Sequence, residues 1–289
     1  MADRVLTAMP GVLGLGDNTV DTDVRAALQY PGGNAVNVAV LARRAGADTG
    51  YLGCVGNDTA GALVLDALVA EGVDISHLRI REGTNARALL AYHDGDRRFL
   101  GSRPGVRGQY ALGAADFDYI AGFDLTHSSI FSELELELPR IRSAAPRLSF
   151  DFSDRWTDAL LRQVLPQIDI AFLSAPDADD AACAMLLRRC VSLGTKLVVV
   201  TRAARGAMAA DRAAITEQPA LPTSVVDTLG AGDGFVAGFL VAHLEGAGLP
   251  SALRAGAAMA ANVCTWRGSF GHAARWDGEL HGIMMREQV

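Results

Sequence analysis

Lysine is almost missing from these 289 residues: Lys196 stands alone against 25 arginines. No Gly-Lys pair exists, so a phosphate loop of the GxxxxGK[ST] kind is excluded. Any phosphate bound here must rest on backbone N–H groups, arginine and metal. A basic face is missing as well. The net charge of -7 argues against a surface for nucleic acid or anionic membrane, since both need clustered positive charge. Cysteine is sparse: Cys54, Cys183, Cys190 and Cys264 lack CxxC spacing and read as reduced core residues, not as a zinc site or disulfide framework. The six histidines are scattered and form no HExxH. No apolar run is long enough to span a bilayer. The opening "MADRVLTAMPG" lacks the basic-then-apolar build of a signal peptide, so a cytoplasmic location is expected.

Half of the residues are hydrophobic, enough for a sizeable core, and the length suits one large α/β domain with an appendage or two small domains. Short β-rich runs ("GVLGLG", "GYLGCVG", "FDLTHSS", "RLSFDFS", "DIAFLS", "KLVVVT") alternate with helical patterns, among them 178–193, 232–246 and 250–264. Near-continuous apolar strands between helices imply a mostly parallel sheet covered on both faces. Residues 78–101 differ: they alternate and carry a turn at Asp94-Gly95-Asp96, as a hairpin would. With the segment near 20–31 they are expected to form a small β-appendage to a single domain spanning 1–289. "SELELELPR" fits an alternating strand or the exposed side of a helix.

Three glycine-rich stretches bear on chemistry. "GVLGLGDN" fails the dinucleotide pattern GxGxxG, because Thr19 stands where the last glycine belongs. It reads instead as a first strand ending at Gly16, presenting Asp17, Asn18 and Asp21 at its carboxyl end, the side on which open α/β sheets bind ligands. "PGGNAVNVAVLA" sets Gly33 and Asn34 before a helix. Alone, Asn34 reads more readily as a cap for the first N–H groups than as a grip on vicinal hydroxyls. "DTLGAGDGF" places Gly230, Ala231 and Gly232 ahead of an apolar run. Their N–H groups suit charge developing on a phosphoryl group, and Asp233 beside them is a carboxylate able to take a proton from a hydroxyl. An aspartate of pKa about 3.9 is a weak base, but in phosphoryl transfer the proton leaves late and position outweighs basicity. A bare glycine turn, with Asp233 complementing the helix dipole, explains that stretch equally well.

Together and in this order, "GDN" with Asp21 beyond, "GGNAVNVA" and "DTLGAGDGF" closely resemble the PfkB, or ribokinase-like, family of sugar kinases, over roughly residues 11 to 270. The resemblance implies a three-layer α/β/α fold with a mostly parallel central sheet and a small β-sheet lid over the sugar. It implies Asp233 as catalytic base, Gly230, Ala231 and Gly232 as an anion hole, and Asp17, Gly33, Asn34 and Asn37 as sugar contacts. Thr201 to Gly206, "TRAARG", corresponds to a TxGxxG loop on the ATP phosphates, and Arg155 adds charge there. Three positions depart from the family. Ala203 replaces the middle glycine of that loop, Ser153 stands where relatives often carry Asn, and "SAPD" replaces an NxxE that helps organise Mg²⁺, leaving Asp177 as an indirect metal partner. ATP and Mg²⁺ are the implied cofactors, with a monovalent cation such as K⁺ near Asp227 and a homodimer through the lid by the same analogy. Within the family, "GDNTVD", "GVDISHLR" and "FDFSDRW" are most similar to fructoselysine 6-kinases. Residue chemistry alone leaves fructokinase, ribokinase, nucleoside kinase and a non-catalytic sensor open.

Overall fold

The computed structural model describes residues 9–93, 96–278 and 284–285. Fifteen strands appear among them: β1 (Gly11–Gly16), β2 (Thr19–Asp23), β3 (Leu28–Gly32), β4 (Asp48–Gly56), β5 (Arg79–Arg81), β6 (Arg87–His93), β7 (Asp96–Arg103), β8 (Leu125–Ser129), β9 (Leu148–Asp151), β10 (Ile170–Ser174), β11 (Leu197–Thr201), β12 (Ala207–Ala210), β13 (Ile215–Gln218), β14 (Ala274–Arg275) and β15 (Met284–Met285). The α-helices are α1 (Asn34–Arg44), α2 (Thr59–Ala70), α3 (Ala114–Ala121), α4 (Leu138–Ala144), α5 (Asp158–Val164), α6 (Asp180–Ser192), α7 (Ala231–Leu244) and α8 (Leu249–Val263).

Nine strands form the main sheet in the order β13-β12-β11-β10-β9-β8-β1-β4-β5, parallel except for β12 and β13 at one edge. Central strands such as β10 and β11 read as near-unbroken apolar runs because each feeds two cores. In β11, Leu197 and Val199 join the cluster built with α1, α2, α7 and α8. Val198 and Val200 join the cluster on the opposite face, with α3 to α6. Burial on both faces is what selects Val and Leu at every position. The result is the expected three-layer α/β/α architecture.

One close approach positions the site. A Cβ on Gly14 would lie 2.2 Å from the Ala35 carbonyl oxygen, so glycine there lets α1 settle directly on β1. The start of α1 is thereby held against the carboxyl end of the sheet.

The second sheet, the lid, runs β14-β3-β2-β6-β7-β15. Two boundaries differ from expectation. Arg79–Arg81 pair in parallel with β4 and belong to the main sheet, so the lid hairpin starts at Arg87. The chain's end adds β14 and β15, which pair with β3 and β7. Asp94 and Gly95 of the expected turn lie outside the described residues, as do residues 1–8 at the amino end. In "SELELELPR", Ser132 ends a short 3₁₀ helix, Glu133 to Glu137 are neither strand nor helix, and turns lead into α4 at Leu138. Its acids and leucines alternate, but no neighbouring strand is there to pair them. Among the described residues no helix is long and apolar enough to cross a membrane.

Candidate active site

The carboxyl ends of β1, β8 and β9 and the amino ends of α1 and α7 meet at one place, and the carboxylates there are all received by neutral donors. Asp17 follows β1 directly and is buried. Its Oδ2 accepts the Asn34 N–H (2.7 Å) and its Oδ1 the Ala35 N–H (3.3 Å), Ser129 Oγ (2.9 Å) and Ser132 Oγ (3.0 Å). An anion on the first amides of a helix is favoured by both the free N–H groups and the dipole.

This arrangement corrects the capping reading of Asn34. Gly33 is the N-cap of α1, no side chain within the helix caps it, and Asn34 is its first helical residue. Asp17, seventeen residues upstream, takes the free amides, and the Asn34 side chain turns to the acids instead. Its Nδ2 donates to Asp151 Oδ2 (2.9 Å) and to Asp233 Oδ1 (2.8 Å). Asn37 lies one turn further along the same face of α1. Its Nδ2 donates to Asp233 Oδ2 (2.6 Å) and to Ser269 Oγ (3.0 Å). Each oxygen of Asp233 thus holds one asparagine donor.

Burial pushes the Asp233 carboxyl up to about 8, the Asp151 and Asp17 carboxylates push the same way, and the Asn37 and Asn34 hydrogen bonds oppose the rise. Asp151 is pushed to about 6, mainly by burial, against the Ser153 N–H and Asn34 bonds that favour its charged form. The sequence's plain aspartate, too acidic to be a good base, becomes a far better one in this setting.

At the mouth of α7, Gly230 is the N-cap with φ 77°, and a Cβ there would lie 2.5 Å from Ser269 Cβ. No side chain caps the helix. Of the three expected anion-binding amides, Ala231 N–H is turned to the Thr228 carbonyl (3.2 Å). Gly232 faces open space, with nothing within 4 Å of where its Cβ would be. Asp227 steadies the loop by accepting the N–H groups of Leu229 (3.0 Å) and Gly268 (3.1 Å).

The residues expected on the nucleotide side stand along the same sheet edge but make no hydrogen bond to the Asp233 cluster. Thr201 ends β11 and Gly206 closes the turn after it, with its carbonyl accepting Arg202 N–H (2.7 Å). Arg155 is exposed after β9, its guanidinium 5.0 Å from the Phe131 ring centroid. Asp177 is exposed after β10. Two of the departures have a common backbone cause: Ala203 has φ 51° and Ser153 φ 52°. Left-handed backbone is what glycine and asparagine tolerate best, so these are the positions where Gly and Asn are the unstrained choices. Among the described residues, no group of three or more His, Cys, Asp or Glu side chains is arranged to hold a metal.

Sequence reasoning missed His127, Ser129, Ser132 and Ser269, all buried and all bonded into the cluster. For His127 and Ser129 the signal was present in "LTHSS": a polar run in a strand buried at every position. Arg202 was also passed over. It is almost wholly buried and pairs with Asp180 and Glu217 (2.5 Å), fixing the turn that presents Gly206.

A profile of the pfkB family carbohydrate kinases matches residues 12–271. Fructosamine kinase FrlD of Bacillus subtilis (strain 168) is 39% identical over 265 residues, covering 90% of this chain and 93% of that protein. Fructoselysine 6-kinase of Escherichia coli (strain K12) is 37% identical over 256 residues, covering 89% and 98%. Arabidopsis thaliana ribokinase, solved with ribose and ATP, shares the fold with a TM-score of 0.78 at 20% identity, covering 91% and 95%. An aspartate held by two asparagines at a glycine-opened helix mouth, in a chain matched to this profile over nearly its whole length, leads to one assignment: the protein belongs to the pfkB family and is an ATP-dependent carbohydrate kinase.

Proposed function

We propose that the enzyme transfers the γ-phosphoryl group of ATP to the primary 6-hydroxyl of a ketose derivative, fructoselysine or a related fructosamine. The observation that carries this reading is the convergence of Asn34 and Asn37 on Asp233 at the mouth of α7. Asp17, Gly33, Asn34 and Asn37 orient the sugar beneath the lid. The primary hydroxyl attacks the γ-phosphorus in line, the bond from that phosphorus to ADP breaks, and Asp233 receives the hydroxyl proton. Amides of Gly230 to Gly232 stabilise charge on the transferring group; the Gly232 amide is the most open to it, and the Ala231 amide must first leave the Thr228 carbonyl. The β6–β7 hairpin excludes water from the cleft.

Thr201, Gly206 and Arg155 hold the nucleotide phosphates. Mg²⁺ is commonly carried by phosphates with one or two carboxylates, which fits an exposed Asp177 and the lack, among the described residues, of three or more side chains arranged to hold a metal. The ion, when bound, neutralises phosphate charge. A monovalent cation beside Asp227 belongs to the same proposal, as do a cytoplasmic setting, which suits four free cysteines, and a homodimer through the lid, where Phe99 is 39% exposed.

What favours a fructosamine over fructose is the similarity of the chain to fructosamine kinase FrlD and to fructoselysine 6-kinase over most of its length. Asp17, Asp151 and Asp233 meet only neutral donors, and no arginine or lysine among the described residues pairs with any of them. The test is kcat/KM across fructoselysine, other fructosamines, fructose, ribose and adenosine, read by ADP release. Fructosamines are expected to lead. Fructose in first place would overturn the substrate assignment, and binding with no turnover of any sugar would overturn the catalytic one.

A further inference from the structure

His127 is fully buried on β8, and both its ring nitrogens have partners: Nδ1 lies 2.8 Å from Ser149 Oγ and Nε2 lies 2.9 Å from Asn34 Oδ1. The Asn34 amide fixes which way the hydrogens run. Its nitrogen faces two carboxylate oxygens, so the opposite atom is the carbonyl oxygen, which can only accept. His127 Nε2 therefore carries the hydrogen, and Nδ1 accepts from the Ser149 hydroxyl. Burial pushes the imidazole down to about 3, which keeps the ring neutral. Rotating the amide by half a turn would set a carbonyl oxygen against two carboxylates and an NH₂ group against the ring N–H. The first contact is repulsive in any case, and the second holds off the flip as long as the ring hydrogen stays on Nε2.

We propose that His127 is a positioning residue for phosphoryl transfer: its Nε2–H locks the Asn34 amide so that both amide hydrogens stay on Asp151 and Asp233. A single run of hydrogen bonds, Ser149 to His127 to Asn34 to Asp233, then crosses β9, β8, α1 and α7. Asp151 and Asp17 are the charged groups that face Asp233, with Asn34 and Asn37 from α1. Phe172 of β10 meets the His127 ring edge-on at 6.3 Å between centroids, and burial is what lowers the imidazole. Without the imidazole donor, the Asn34 amide loses its preferred setting. Asp233 then loses one of its two donors, becomes harder to ionise and turns more freely away from the acceptor hydroxyl.

The inference rests on Asp233 being the base. Its test uses the full-length enzyme with the ketose it turns over fastest, comparing His127→Phe, His127→Gln, Asn34→Ala and the His127→Phe/Asn34→Ala double variant. His127→Phe is expected to lower kcat by about 10–100-fold, leave KM for ATP unchanged and move the acidic limb of kcat/KM to higher pH. His127→Gln can still donate and is expected to recover most of the loss and return the limb. The double variant is expected to be no slower than Asn34→Ala, because both changes break one chain. An unmoved limb, a Gln variant as slow as Phe, or losses that simply multiply would each overturn the proposal. Should His127→Phe not fold, Ser149→Ala decides: a smaller fall with the limb moved the same way supports the proposal, and an unmoved limb overturns it. Near-normal turnover in Asp233→Asn would remove the base assignment itself. A collapsed Asp233→Asn beside an unaltered His127→Phe would remove only this inference.

Discussion

Replacing Gly232 with alanine adds one methyl group at the mouth of α7, where nothing lies within 4 Å of the position its Cβ would take. Gly232 is also absent from the positive-φ glycines, so alanine fits its backbone without strain. Alanine exceeds glycine in helix propensity and restricts the unfolded chain, which together stabilise by about 0.5–1 kcal/mol. The same methyl occupies the space into which a phosphoryl group must come to reach these amides. A displacement of that group by about 1 Å costs on the order of 100-fold in rate. Denaturant unfolding and ADP release on the same preparation give both numbers. The expected result is a protein at least as stable as the parent with kcat/KM for ATP reduced on the order of 100-fold. Full activity in Gly232→Ala would refute the idea that phosphate is held at this helix mouth.

Gly230→Ala is expected to behave oppositely. With φ 77° and a Cβ 2.7 Å from the backbone Cα of Ser269, it should lose about 2–4 kcal/mol in the same unfolding measurement. Ala203→Gly relieves φ 51° and should add about 1 kcal/mol, roughly 2 °C in Tm, read by calorimetry. The pH profile follows from the Asp233 carboxyl being pushed up to about 8 and Asp151 to about 6. The base must be ionised, so kcat/KM for the sugar should climb through neutral pH, reach half its limit near 8 and level off above about 9, a limb that belongs to the coupled pair. Stability runs the other way. The folded state binds more protons than the unfolded chain between about 4 and 8, so this contribution is present in acid and is lost as pH rises toward 8. A rate independent of pH from 6 to 9 would contradict the cluster's electrostatics.

How much of this was legible before the fold depends on where each partner lies along the chain. Gly230 to Asp233 declared themselves, because an amide-lined helix mouth and its acid are contiguous. The layered sheet was legible because both-face burial writes apolar runs such as "KLVVVT". Asn34 misled, since a residue opening a helix has the look of a cap, and the true anion on those amides is Asp17, across the β2–β3 hairpin. His127 stood in a visibly polar run, "LTHSS", that named none of its partners. Its meaning comes from Ser149 and Asn34, 22 and 93 residues away, brought to it by parallel pairing of β8 with β9 and by α1 packing on β1. The lid's outer strands were hidden for the same reason: β14 and β15 are two residues each, too short to show a pattern.

The central claim is that Asp233 takes the proton from the sugar hydroxyl as phosphate transfers. Its most direct test is single-turnover ADP formation from ATP and fructoselysine by the parent enzyme and by Asp233→Asn, with unfolding followed in parallel. The account predicts a folded variant that transfers phosphate about 10²–10⁴-fold more slowly. A folded Asp233→Asn enzyme that transfers at nearly the parent rate would contradict it.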